Sequence, residues 1–313
     1  MSRVLVMQVD PVAHPITSYR DIHGWFHTMD ARLFHALLSD QAESPAGDLV
    51  EIGVFKGKSA VVIGDHLRPG ERFVVIDIFG DVSLLDDDAA GRANASEQRR
   101  TYRNLSREEF ERTYLALHPQ LPVVVQAASG RIVDHVEPGA ARFIHIDASH
   151  LYAGVAEDCR SAKRLLRPGG VVAFDDWRNH KFPGVAAAIW EAVVRDGLIP
   201  IAVTPSKLYG VYAGAEHALE VVRAELASDP EWWIHDEHEI FGHTVLRIGN
   251  MSALRRRRAQ KRRRRARREA RLSKRTRATS RTASAPRRSV RSYVSQELLP
   301  PALRRRLRRR RRG

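Results

Sequence analysis

The chain has 313 residues and a formal net charge of +15, but the charge is divided: residues 251–313 carry 27 bases and 2 acids, residues 1–250 carry 25 bases and 35 acids. The body is therefore a mildly acidic segment with ample apolar residues for a core, and the high overall isoelectric point belongs to the C-terminal segment alone. A single cysteine, Cys159, excludes an intrachain disulfide framework and fits a reducing, cytoplasmic setting; the opening MSRVLVMQVD does not read as a signal peptide, and no apolar run approaches the ~20 residues of a membrane span.

Residues 1–30 read as an irregular N-terminal extension. Helical spacing begins at 31–41, where Leu33, Phe34, Leu37 and Leu38 share one face. DLVEIGV (48–54) is a short apolar run closed by glycine, as a buried strand would be, and helical spacing returns over 58–67. Further strands are expected at 72–79, 121–128, 142–149 and 171–177, with an amphipathic helix at 151–166 stopped by RPGG and another at 184–197 ending in glycine. Residues 81–118 are a polar insertion with helical character in its second half. The stretches 200–214 and 243–249 suggest a closing pair of strands, antiparallel neighbours at the sheet edge. Regular alternation of strand and helix means a parallel sheet with helices on both faces, and such sheets bind ligands beyond the carboxyl ends of their strands.

Chemistry-bearing residues collect at those ends. In VEIGVFKGKSA (50–60), Gly53 and Gly57 allow a tight turn into a helix N-terminus, but the order is E-x-G-x-x-x-G, led by Glu51, and not the glycine-first fingerprint of a dinucleotide site. An acid ahead of the turn suits a cationic ligand. Asp77 closes the second strand, where a carboxylate accepts from ribose hydroxyls, and Ser129 and Gly130 follow the third, where a small polar loop borders an adenine. Together they suggest an adenosine cofactor with a positive reactive end. Asp147 ends the fourth strand with His150 three residues on, and Asp175 and Asp176 end the fifth.

These features resemble a class I S-adenosylmethionine-dependent methyltransferase. The pattern I-D-x-x-H, L-x-P-G-G and D-D, here Ile146, Asp147, His150, Leu166, Pro168, Gly169, Gly170, Asp175 and Asp176, is similar to the subfamily of macrocin O-methyltransferase-like sugar O-methyltransferases, over roughly residues 20–250. The resemblance implies an α/β, doubly wound, Rossmann-like, mostly parallel seven-stranded sheet. It implies S-adenosyl-L-methionine held along Glu51, Gly53, Phe55, Gly57, Ser59, Asp77, Ser129 and Asp147. It implies a divalent metal on Asp147, Asp175 and Asp176, with His150 as the base beside Asp147, and a small-molecule hydroxyl acceptor such as a sugar or glycosylated natural product. The chemistry agrees. An alcohol is too weak an acid for an unassisted histidine, whereas a metal lowers its pKa, and all-carboxylate ligands select Mg²⁺, with Mn²⁺ or Ca²⁺ as alternatives.

Plainer roles stand beside these: Asp147 as a cap for the helix at 151, one of Asp175 and Asp176 as a cap for the segment after the fifth strand, His150 as a supporting hydrogen-bonder. Consecutive strand residues also point to opposite faces, so Asp175 and Asp176 reach one ion only if the strand has ended. Tyr152 and Arg178 are further candidates for substrate contact, and residues 84–98 are placed to fold over the site as a lid. The arginine-rich segment 251–313 cannot bury a core, is expected to be disordered, and would attract RNA, DNA or an anionic membrane without reading sequence. A nucleic-acid-associated methyltransferase is therefore the competing reading, and a homo-oligomer is an open expectation.

Overall fold

The computed structural model describes residues 15–102, 105–228 and 232–250. The arginine-rich segment, and with it the expectation of disorder and polyanion contact, lies outside the described residues.

Nine strands form one sheet in the order β3-β2-β1-β4-β5-β7-β6-β9-β8. The parallel part comprises β1 (Asp48–Ile52), β2 (Phe73–Asp77), β3 (Val123–Gln126), β4 (Ala141–Ile146) and β5 (Leu166–Phe174). Its order reverses at β1, where the chain steps to β2 and β3 on one side and later returns to β4 on the other. That reversal opens the crevice in which α/β folds bind ligands. The remaining strands are β6 (Ile199–Val203), β7 (Leu208–Val211), β8 (Trp232–Ile240) and β9 (His243–Asn250).

The count exceeds the expected seven for two reasons. The stretch 200–214 is two strands, because Thr204, Pro205, Ser206 and Lys207 turn the chain between β6 and β7. Pro205 has no N–H for a ladder, and the Thr204 hydroxyl takes the Lys207 N–H instead at 2.9 Å. The charged stretch 232–240 is also a strand, β8, at the sheet edge, where one side needs no apolar cover. The closing pair is not antiparallel either: β9 runs parallel to β6, since the hairpin partner β7 has inserted between β6 and β5.

Two cores cover the two faces. On one, α1 (Thr28–Asp40), α2 (Lys58–Gly64), α4 (Arg107–Leu115) and α7 (Ala215–Ala227) pack against Leu49, Phe73, Phe143 and Tyr209. On the other, α5 (Tyr152–Leu165) and α6 (Pro183–Asp196) cover Val50, Ile76, Ile144 and Phe174, and Cys159 is buried there as a small apolar residue. α3 (Ala89–Thr101) lies in the polar insertion. At the amino ends of the strands the guanidinium of Arg142, fully buried, donates to both Glu71 oxygens at 2.9 Å. Burial alone would raise the Glu71 carboxyl, but Arg68 and Arg142 hold it down at about 2. No helix among the described residues is long and apolar enough to cross a membrane.

Strand alternation decides what the first face contains. Leu49, Phe143, Val171 and Tyr209 point toward α1, so Glu51, His145 and Lys207, an even number of residues away along the same strands or their ends, point there too. Glu51 pairs in register with His145, His145 with Ala173, and Ala173 with Tyr209. The in-register row beneath α1 thus carries polar groups on three of its four strands, Glu51, His145 and Tyr209, with the small Ala173 between the last two.

Candidate functional site

A cleft of about 1010 Å³ opens at the carboxyl ends of β1, β2, β4 and β5. Among the residues singled out in the sequence, Gly53, Phe55, Ser59, Asp77, Ser129, Asp147, His150, Asp175 and Asp176 line it; Glu51, Gly57, Tyr152 and Arg178 do not. Tyr152 faces outward and donates its hydroxyl hydrogen to Glu191. Glu51 is fully buried behind the cleft wall.

The glycine turn is fixed by what it touches. Gly53 has φ +84°, and a Cβ there would stand 2.2 Å from the carbonyl oxygen of Asp147, so the turn after β1 rests directly on the end of β4. Gly57, φ +83°, is the left-handed residue that starts α2. Asp77 braces the turn: one carboxylate oxygen accepts the N–H groups of Val54 and Phe55 at 2.8 and 3.0 Å, and the other accepts Phe79 N–H at 2.8 Å. The oxygen that takes Val54 and Phe55 has both lone pairs engaged, whereas the one that takes Phe79 keeps a lone pair, which leaves the ribose role open to it.

At the other end of the cleft the acids meet. Asp147 does not cap α5, whose N-cap is Leu151 with no side-chain cap bond. Asp176 has φ +54°, a left-handed conformation that is unfavourable for a residue with a Cβ. That turn ends the strand alternation and brings Asp176 round beside Asp147. The His150 ring stacks flat on Phe182, centroids 4.0 Å apart and planes 9° apart, and its Nε2 lies 3.3 Å from Asp176 Oδ2 and 4.0 Å from Asp147 Oδ1. Enclosure and the Asp175 charge push the Asp147 carboxyl well above its ordinary range, although its side chain is still 36% exposed to the cleft. Burial and the same neighbour raise Asp176.

Lys207 is the functional-site residue that sequence reasoning missed. Its ammonium, fully buried at the tip of the β6–β7 turn, donates to Asp175 Oδ2 at 2.7 Å and meets His145 Nε2 at 2.8 Å. His145 Nδ1 in turn meets Glu51 Oε1 at 2.7 Å, and Ser59 Oγ donates to that same Glu51 oxygen. Burial pushes Glu51 up to about 8, so it carries a proton at neutral pH. Burial would lower Lys207, but the surrounding carboxylates, Asp175 foremost, raise it and keep it charged. Asp30 of α1 anchors the turn by accepting from Thr204 Oγ1, Ser206 Oγ and Tyr209 OH at 2.7–2.9 Å.

His145, Asp147 and Asp175 bring donor atoms within 4.8 Å of one another, a spacing compatible with a metal. Both ring nitrogens of His145 are already engaged, however, and the cation between His145 and Asp175 is the Lys207 ammonium. Of the three acids at this end, Asp147 and Asp176 face the cleft without a lysine or arginine ion pair among the described residues.

Residues 50–177 match the family described as a methyltransferase domain. Among solved structures, the O-methyltransferase NovP is 22% identical over 63% of this chain and 86% of its own, with a TM-score of 0.46. CalS11, a TDP-rhamnose 3′-O-methyltransferase of calicheamicin biosynthesis, is 19% identical over 59% and 80%, with a TM-score of 0.39. The O-methyltransferase TomG from Streptomyces achromogenes is 18% identical over 61% and 82%, with a TM-score of 0.38. No curated protein sequence matches the chain. The solved structures are distant likenesses; the matched segment runs from the glycine turn of β1 to the paired acids after β5, the two ends of the cleft. Residues 50–177 are thus a methyltransferase domain, with the switch-point cleft and the E-x-G-x-x-x-G turn of an S-adenosylmethionine-dependent enzyme inside it.

Proposed function

We propose that the enzyme methylates a hydroxyl of a small molecule, a sugar or glycosylated natural product, with the help of a divalent cation. One observation carries this reading: Asp147, Asp175, Asp176 and His150 converge at one end of a cleft whose other end is the glycine turn. A volume of about 1010 Å³ exceeds the need of a single ligand and suits a cofactor and an acceptor together. Gly53, Phe55, Ser59, Asp77, Ser129 and Asp147 form the cofactor's side, with Glu51 and Gly57 supporting the turn from behind. The cofactor supplies the electrophilic methyl group, and the chain has to position the acceptor and remove its proton.

The acids fit a hard cation such as Mg²⁺, Mn²⁺ or Ca²⁺. They offer oxygen donors, and burial, together with the neighbouring carboxylates, raises the proton affinities of Asp147 and Asp176, where a cation would offset the crowded negative charge. A bound ion would make an acceptor hydroxyl more acidic. His150, its ring plane fixed by Phe182, then takes the proton at Nε2. We take 1–250 as the catalytic domain, in a cytoplasmic setting that the lone cysteine favours, and 251–313, with its net charge of +25, as a segment for nonspecific contact with a polyanion.

Calorimetric titration of S-adenosylhomocysteine into the full chain, with and without Mg²⁺, followed by a screen of hydroxyl acceptors, tests the proposal. Binding with Mg²⁺-dependent turnover on a sugar hydroxyl is expected. Turnover that ignores both Mg²⁺ and chelator would remove the metal from the scheme, and methylation of RNA alone would replace the acceptor.

The insertion supplies a second test. Leu85, Asp86, Asp88, Asn94 and Gln98 line the cleft, and Ser149 at the end of β4 reaches Asn94 at 3.4 Å. Deleting 84–98 is expected to lower acceptor turnover by at least about tenfold while S-adenosylhomocysteine binding stays within about threefold. Loss of cofactor binding as well would show that the segment is not an acceptor lid.

A further inference from the structure

We infer that Trp25 and Tyr102, backed by Phe55, form an aromatic subsite at the mouth of the cleft that takes the flat apolar aglycone of a neutral glycoside acceptor. The inference rests on the small-molecule reading above and narrows the class of acceptor. Three segments far apart in the chain bring these rings together. Trp25 lies in the stretch before α1, Phe55 in the glycine turn and Tyr102 just beyond α3, and all three line the cleft. The indole centroid is 5.6 Å from that of Phe55 with the planes 33° apart, and the Tyr102 ring stands at 90° to the indole at 6.4 Å. Phe55 and Tyr102 are themselves 5.6 Å apart at 71°.

The rings are held where they are. Lys58 at the start of α2 donates to the Gly24 carbonyl at 3.2 Å, and Phe26, on the other side of Trp25, is buried against Phe34 with centroids 5.0 Å apart. Phe55 has φ +51°, a left-handed conformation that is costly for a residue with a Cβ, and Asp77 fixes it by accepting its N–H at 3.0 Å. The backbone of Phe55 thus belongs to the cofactor's turn, while its ring serves the subsite. Trp25 remains 60% exposed within this frame. A large apolar surface held open in a concavity is recognition surface, and aromatic pairs gain more than their buried area. The charge of the cleft narrows the partner further. Carboxylates outnumber lysines and arginines on its lining by seven to four, and Lys207, one of the four, is already paired with Asp175. Such a lining disfavours a phosphorylated or otherwise anionic acceptor. The metal-binding acids gather at one end of the cleft and the rings at the glycine-turn end. An acceptor that presents its hydroxyl to the acids and reaches Trp25 therefore extends across the cleft, as a sugar joined to a ring system does.

The experiment uses 4-nitrophenyl glycosides, each matched with the methyl glycoside of the same sugar, on the full-length wild type, Trp25→Ala and Trp25→Phe. Methylation with S-adenosylmethionine and Mg²⁺ is expected to favour the aryl member of a pair by at least about tenfold in kcat/KM, through KM. In Trp25→Ala that preference disappears, while S-adenosylhomocysteine affinity stays within about threefold and the methyl glycoside's KM within about twofold of the wild type. Trp25→Phe keeps part of the preference. Trp25 is exposed, so its loss leaves no core cavity. Saturation-transfer NMR on the S-adenosylhomocysteine complex reads ring contact without turnover, and transfer to the aryl protons is expected in the wild type and lost in Trp25→Ala. Equal treatment of aryl and methyl glycosides, or a preference that survives in Trp25→Ala, overturns the subsite. Weaker cofactor binding in Trp25→Ala, with both kinds of glycoside affected alike, would make the indole a cover for the cofactor instead. Trp25-dependent aryl contact without methylation of any glycoside would sink the proposed reaction and leave the subsite standing; absence of both contact and methylation would sink the two together.

Discussion

Gly53→Ala is expected to destabilise the protein by at least about 3 kcal/mol and to lower turnover by more than about a hundredfold. The residue sits at φ +84°, where an alanine is strained by roughly 1 kcal/mol before any contact is counted. The contact is the larger effect. A Cβ would lie 2.2 Å from the Asp147 carbonyl oxygen and 2.6 Å from Ala148 Cα, and both are backbone atoms of the β4 terminus with no rotamer to change. Relief requires β1 and β4 to part, which moves Asp147 away from Asp176 and His150. The loss should therefore appear in two measurements at once, urea denaturation and single-turnover kinetics. An alanine variant with wild-type stability and turnover would mean that the two strand ends do not touch as described.

Asp158→Asn should do the reverse and stabilise the protein, by about 3–4 kcal/mol at pH 8 and by little at pH 4. Asp158 lies on the buried face of α5, and neither of its carboxylate oxygens has a hydrogen-bond partner. Burial pushes its carboxyl up to about 7; the nearby Ser129 hydroxyl, which is not in bonding geometry, offsets only part of the effect. A group whose pKa is higher in the folded than in the unfolded chain stabilises the fold fully below the unfolded value, near 4, and loses that contribution as pH rises through 7. At about 1.36 kcal/mol per pKa unit, the rise from 3.8 to about 7 corresponds to roughly 4 kcal/mol at pH 8. Asparagine has nearly the same shape and no charge to bury. Denaturant titrations of both proteins at pH 4, 6 and 8 check the effect; a constant difference across that range would show that the carboxyl is solvated.

The parts of the site that the sequence disclosed are those whose neighbours are close along the chain. Gly53 follows Glu51 by two residues, Asp175 and Asp176 end an apolar run, and His150 follows Asp147 by three, so pattern and position alone put them at strand ends. Lys207 is different. A lysine after a proline and a serine reads as a solvated turn, and its partners His145 and Asp175 lie 62 and 32 residues upstream. Its burial depends on the 200–214 stretch folding back as a hairpin and on β7 inserting next to β5, and strand order is not contained in local periodicity. Asp30 was hidden in the same way, as a single acid on an apolar helix face whose hydroxyl partners lie more than 170 residues on. The φ of Asp176 answers the sequence-level objection that adjacent residues diverge, but nothing short of the backbone could have disclosed it.

The late position of the hairpin has a consequence for biosynthesis. A ribosome delivers β1, β4 and β5, with Glu51, His145 and Asp175, before the segment that carries Lys207 has been made. Until then the nascent sheet has an unpaired β5 edge and a carboxylate with no counter-ion, so its central strands cannot close dry beneath α1. Docking of β7 supplies the missing ladder and the missing charge in one event. The enzyme should thus become protease-resistant abruptly, once chain ends extend past β7, and not by stages as each strand emerges.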